Sequence, residues 1–119
     1  MLAAEYAITL EQGASFSQVW KWTDKSGAAV DLTDLDLKCQ LKLGRTGIVL
    51  LEGSYVGSTN TPSGDMVLSE GGTAGTFGLS ISRSVTASLY FINAFWYLEI
   101  ANVLNTFRIL EGPVTLSRR

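Results

Sequence analysis

The chain has no histidine and a single cysteine among its 119 residues. Without an imidazole it lacks the commonest general base, the commonest zinc ligand and every Ser-His or Cys-His pairing. One cysteine, Cys39, excludes an intramolecular disulfide. Charge of one sign is scarce as well: nine basic and eleven acidic residues leave a formal net charge of −2 and no long block of either sign. A nucleic-acid partner would need a clustered basic face, so none is expected. Arg118-Arg119 is the only adjacent basic pair and reads as a solvated end. No stretch approaches the roughly 18 apolar residues of a membrane span. The longest apolar-rich run, Leu89 to Ala101, is broken by Asn93 and Glu99. Met1-Leu2-Ala3-Ala4-Glu5 meets a negative charge at once and lacks a secretory pattern, so a soluble protein made in a cytoplasm is expected. The glycines punctuate turns and form neither a GxGxxG nor a Walker-type loop, so no cofactor is expected.

What is present is alternation. Leu35-Asp-Leu-Lys-Cys-Gln-Leu-Lys-Leu43 has every odd position apolar and every even position polar. Only a strand, with its two-residue side-chain period, puts that apolar set on one face. The segment therefore predicts a strand buried on one side, with Cys39 as a small core residue. Further strands are predicted at Ala4–Leu10, Ser15–Thr23, Ile48–Val56, Met66–Leu68, Phe77–Ile81, Ala94–Ala101, Thr106–Leu110 and Val114–Leu116, with a bulge or edge at Gly112-Pro113. Asp24-Lys25-Ser26-Gly27, Asp31-Leu32-Thr33-Asp34 and Asn102–Asn105 carry turn chemistry. Ser82–Leu89 is the one place for a helical turn, with Ser82 or Ser84 as cap. The polar stretch Gly57-Ser58-Thr59-Asn60-Thr61-Pro62-Ser63-Gly64 reads as a loop, because Pro62 cannot serve a central strand. The expected core is Phe16, Leu37, Cys39, Leu41, Phe77, Leu79, Ile81, Trp96, Leu98, Ile100, Ile109 and Val114. This is the pattern of one all-β domain spanning residues 1–119, a sandwich of about seven to nine short strands with at most one short helix.

Chemistry is sparse in this pattern. Asp31, Asp34 and Asp36 lie close together, but they lack the loop spacing and bidentate Glu of a calcium hand, and a turn-forming role is expected. No metal and no catalytic residue is assigned, and the chain is not expected to be an enzyme. Trp20 and Trp22 share one strand face, and Trp96 sits among Tyr90, Phe91, Phe95 and Tyr97. Such rings either fill the space between two sheets or stack on a sugar. Phe95 and Tyr97 fall on the face opposite Trp96, and a surplus aromatic face also suits a protein partner.

Three stretches carry a resemblance. Ile8-Thr9-Leu10-Glu11-Gln12-Gly13-Ala14-Ser15-Phe16 is followed by Trp22, Asp24, Gly27 and Val30-Asp31-Leu32-Thr33. The close is Leu98-Glu99-Ile100, a short turn, Arg108-Ile109-Leu110-Glu111-Gly112 and Val114-Thr115-Leu116. The middle matches more loosely at Gly75–Ser82. Together they resemble the small Ig-like β-sandwich domains of tailed-bacteriophage virions, similar to the N-terminal domain of phage baseplate upper proteins. Asn102-Val103-Leu104-Asn105 departs from the acidic or Gly-rich turn of that pattern. The resemblance implies an Ig-like fold and a virion structural component of the tail, baseplate, neck or fibre attachment. Such a part docks to other virion proteins in multiple symmetric copies. A capsid decoration protein and a carbohydrate-binding or adhesin module are the alternatives. Partner contacts are expected from Gly57, Ser58, Thr59, Asn60, Thr61, Pro62, Ser63 and Gly64, and from Arg118 and Arg119. The residues before Ile8 and after Leu116 are expected to be free of the core.

Overall fold

The alternating segment is a strand whose Leu37, Cys39 and Leu41 are buried while Asp36 and Lys38 face solvent. The computed structural model describes residues 4–44, 47–91 and 93–118, and ten strands lie among them. They are β1 (Ala4–Glu5), β2 (Ile8–Glu11), β3 (Phe16–Lys21), β4 (Asp36–Lys42) and β5 (Val49–Val56). There follow β6 (Thr61–Gly64), β7 (Met66–Glu70), β8 (Thr76–Ile81), β9 (Asn93–Ala101) and β10 (Thr106–Ser117). One short helix, α1 (Arg83–Ser88), precedes β9; Ser82 caps it by accepting from the Val85 N–H at 3.4 Å.

Two sheets pack face to face. The larger has the order β1-β10-β9-β4-β5-β6, with β2 continuing the β1 side of β10; the smaller has β3-β8-β7. Both β1 and β2 run parallel to β10, whereas the remaining pairs are antiparallel. Between the sheets lie Leu10, Leu37, Cys39, Leu41, Met66, Leu79, Trp96, Leu98 and Val114, each almost fully buried. Trp20 of β3 stacks on Trp96 of β9 (centroids 5.7 Å, 23°) and on Phe77 of β8 (5.6 Å, 24°), joining the layers.

Several sequence expectations are corrected. Gly57–Gly64 is not one loop: a turn occupies positions 57–60, and Thr61–Gly64 is an edge strand. Pro62 is tolerated there because one side of β6 has no neighbour in the sheet. The N-terminal strand is broken at Tyr6–Ala7 into β1 and β2. β10 runs unbroken through Gly112-Pro113, and its register shift falls between Arg108 and Leu110. That shift buries the consecutive residues Ile109 and Leu110. Phe16 is only half-buried, since β3 lies at a sheet margin.

The ends are also tied down, contrary to expectation. Tyr6 N–H donates to the Glu111 carbonyl at 2.8 Å, and its own carbonyl accepts from Trp96 Nε1 at 2.7 Å. Gly112, directly opposite Trp96, makes that approach possible, because a Cβ there would lie 2.3 Å from the Tyr6 carbonyl oxygen. Arg118 lays its guanidinium 4.1 Å from the Tyr90 ring centroid.

A candidate recognition end formed by three loops

Strands β4 and β10 begin, and β3, β5 and β9 end, at one pole of the sandwich. Asp36 pairs with Ala101, and the Gly57 N–H donates to Asp36 Oδ1 at 2.9 Å. Three connections meet there, positions 22–35, positions 57–60 and Asn102–Asn105, with the 71–75 turn beside them, whose Gly72 carbonyl accepts from the Leu32 N–H at 3.0 Å.

Short polar side chains brace each loop from within. Asp24 Oδ1 accepts from Ser26 Oγ (2.6 Å), Ser26 N–H (2.9 Å) and Ala28 N–H (3.1 Å). Asp31 Oδ1 accepts from Thr33 Oγ1 (2.6 Å) and Thr33 N–H (2.9 Å). The Ser26 and Thr33 hydroxyls, with the backbone donors, hold both carboxyls below the ordinary 3.8. Tyr55 OH donates to Asn60 Oδ1 at 2.8 Å across the second loop, and burial raises that phenol. In the third, Asn102 Oδ1 accepts from Leu104 N–H (2.8 Å) and Asn105 N–H (2.7 Å).

This last turn presents Val103 and Leu104 to solvent, 100% and 86% exposed, with Phe107 partly exposed behind them. Beside it a shallow groove of about 360 Å³ is lined by Asp36, Lys38, Tyr55, Val56, Glu99 and Thr106. Two carboxylates of the Asp31–Asp36 bend are engaged by backbone N–H groups: Asp31 by Thr33 within the turn and Asp36 by Gly57 of the next loop. Among the described residues no group of three or more His, Cys, Asp or Glu could hold a metal ion.

The predicted contact residues are divided by this geometry. Ser58, Thr59 and Asn60 sit at the pole and are exposed, and Thr61–Gly64 extends from it as an exposed edge. Gly57 is buried, and a Cβ there would lie 2.3 Å from the Leu35 carbonyl oxygen, so it serves the fold. Arg118 follows the far end of β10, away from these loops, and Arg119 lies outside the described residues. Val103 and Leu104 were not among the predicted contacts, although two large apolar residues between turn-forming asparagines are a legible sign.

Trp20 and Trp96 offer no free face to a sugar. Trp96 is wholly buried, and Trp20 is stacked between Trp96 and Phe77. On the outer face Phe95 and Tyr97 are also buried. The Arg108 guanidinium covers the Tyr97 ring at 4.1 Å, and Tyr97 OH donates to Gln40 Oε1.

The strand order defines the class. A seven-stranded sheet, with β5 and β6 beyond β10-β9-β4 on one side and β1 and β2 on the other, facing a three-stranded sheet, is the arrangement of an Ig-like sandwich. No protein-family model matches the chain, and no curated protein is significantly similar to it. Among solved structures, one from a photo-crosslinking study of multimeric cell-adhesive interactions of VGSC beta subunits superposes with a TM-score of 0.50 at 14% identity, covering 97% of this chain and 92% of that one. A marsupial T cell receptor gives a TM-score of 0.56 at 14% identity, covering 93% of this chain and 48% of that one. The chain thus spans about half the length of the receptor chain. At this identity the likeness establishes the Ig-like β-sandwich and nothing finer.

Proposed function

We propose that this protein works by docking, without catalysis, as a structural component of a tailed-bacteriophage virion in the tail, baseplate, neck or fibre attachment. Its partners are other virion proteins, met by several symmetric copies. The observation that carries docking is the Asn102–Asn105 turn, which holds Val103 and Leu104 out in solvent on a hydrogen-bonded frame. Large apolar side chains held out from the fold add nothing to its own core, and gain burial only against a partner. The virion address is supported by the resemblance of the two end stretches. Those stretches are neighbours in space, since Val114, Thr115 and Leu116 pair with Ile8, Thr9 and Leu10.

Two measurements test the two halves. Mass spectrometry of purified particles should find the protein at a fixed copy number, and its absence from particles would overturn the address. The double variant Val103→Asp, Leu104→Asp should melt within about 2 °C of wild type, as exposed positions do, yet fail to enter particles. Incorporation at wild-type copy number would move the docking surface elsewhere.

A further inference from the structure

Strand β3 is a sheet edge. Among the described residues it pairs with β8 on one side only. Trp22 N–H donates to the Gly75 carbonyl at 2.8 Å, which sets the phase of the ladder. By alternation Phe16, Gln18 and Trp20 bond β8, and Ser17, Val19 and Lys21 turn their N–H and C=O groups outward. The Val19 carbonyl is met only by the side chain of its own neighbour, Gln18 Nε2, at 3.1 Å. Natural proteins blunt such edges with lysine or other charges, proline, bulges or a covering segment. The other margins follow that rule: β6 carries Pro62 and no apolar residue, the β1–β2 margin is broken at Tyr6–Ala7, and β7 is flanked by β6. β3 carries one such device, Lys21 at its very end, and shows Val19 at its centre at 61% exposure.

A surface groove lies below this edge. It has a volume of about 220 Å³ and is lined by Ala4, Trp20, Trp22, Phe77, Ile109 and Leu110. Trp20 Nε1 is buried and has no hydrogen-bond partner, which is costly for an indole N–H.

We infer that β3 pairs antiparallel with β3 of a second copy of this chain, about a two-fold axis at Val19. The register follows from which groups face outward. Only a pairing of Val19 with Val19, and of Ser17 with Lys21, engages all three outward-facing residues of each strand within β3. It sets the exposed valines against each other and keeps the two lysines apart. It also places Gln18 of each copy opposite Trp20 of the other, on the inner face. The small sheets join as β7-β8-β3-β3-β8-β7, and the contact is isologous, as a two-fold requires.

Sedimentation of the wild-type chain from about 1 μM to 1 mM, the range of small interfaces, should show conversion of the 12.8 kDa chain to its dimer. Val19→Lys, at an exposed position, should keep the melting temperature but remain monomeric. Val19→Cys should cross-link on mild oxidation, because directly opposed Cα atoms of about 5.5 Å suit a disulfide. The buried Cys39 does not compete. Amide exchange at Ser17, Val19 and Lys21 should slow at least tenfold in the wild-type dimer relative to Val19→Lys. A wild-type chain that stays monomeric across the range overturns the inference and leaves the edge to a strand of another protein. A dimer that survives Val19→Lys, or gives no Val19→Cys cross-link, overturns it equally.

Discussion

Trp20 and Trp96 belong to the two strands, one in each sheet, that an antibody domain joins through its inter-sheet disulfide. Here a stacked indole pair spans the gap. Tyr6 seals it edge-on, with its ring centroid 5.2 Å from that of Trp20 and 6.5 Å from that of Trp96. The lone cysteine lies on β4, where burial pushes the thiol up to about 12 and its Sγ lies 3.8 Å from Met66 Sδ. A thiol so placed is neither ionised nor reachable near neutral pH. Cys39 should therefore resist a maleimide or disulfide reagent in the native protein and react only as the chain unfolds. Labelling within seconds in native buffer would contradict its burial. Leu98, beside Cys39 in the ladder and fully buried, gives the matching stability test. Leu98→Ala should cost about 2–5 kcal/mol in urea unfolding, through lost transfer energy and the cavity left behind.

At the scale of elements, the sequence shows best those strands that have one wet face and one dry face. β4, β7 and β8 each bury alternate side chains, so their residues carry the period. α1 was legible from its serine cap, and the Asp24 and Asn102 turns from side chains that bond their own backbone. β6 was not legible, because Thr61-Pro62-Ser63-Gly64 is exposed on both faces and no alternation is imposed. The parallel docking of β2 on β10 joins residues about a hundred positions apart and leaves no local trace. The candidate site divides in the same way. Positions 58–60 and their neighbourhood could be read as a polar stretch, whereas the convergence of three loops depends on the sheet order.

That difference changes one expectation. If Gly57–Gly64 were a loop, shortening it to a two-residue turn would alter stability by less than about 1 kcal/mol. As an edge strand it contributes the ladder to β5, the Ser54–Ser63 hydroxyl contact at 2.8 Å and the Tyr55–Asn60 bond. Its removal should cost about 2 kcal/mol or more, at roughly 1 kcal/mol per hydrogen bond lost, measured as a lower urea midpoint. Gly53 and Gly64 mark where the chain then crosses from one sheet to the other. A Cβ on Gly53 would lie 1.8 Å from the Met66 carbonyl oxygen, and Gly64 has φ +101°.

At the scale of the whole molecule, the two poles differ in what holds them. The far pole is clasped through the Gln12 and Gly13 turn: Gln12 Nε2 donates to the Leu89 carbonyl at 3.0 Å, and Gly13 N–H donates to Thr86 Oγ1 at 3.2 Å. The Glu-Gln-Gly motif of the resemblance thus fastens α1 to the sheet rather than meeting a partner. The loop pole depends instead on carboxylates as acceptors. Asp24 and Asp31 are held below the ordinary 3.8 in the folded chain, so each favours folding when ionised. Their contribution is complete above 3.8 and fades as pH falls through the lower folded values. Both are exposed and their bonds lie within the loops, so acid should loosen the loops before it unfolds the sandwich. NMR titration from neutral pH downward should show the Ser26, Ala28 and Thr33 amides shifting and exchanging faster below pH 3.8, while Leu79 and Leu98 amides hold their shifts. Asp24→Asn, which keeps an acceptor but cannot titrate, should remove the acid response of Ser26 and Ala28 and leave that of Thr33. If the core amides moved together with the loop amides, the pole would be part of one cooperative unit. A recognition surface that adjusts while its scaffold stays rigid would then be excluded.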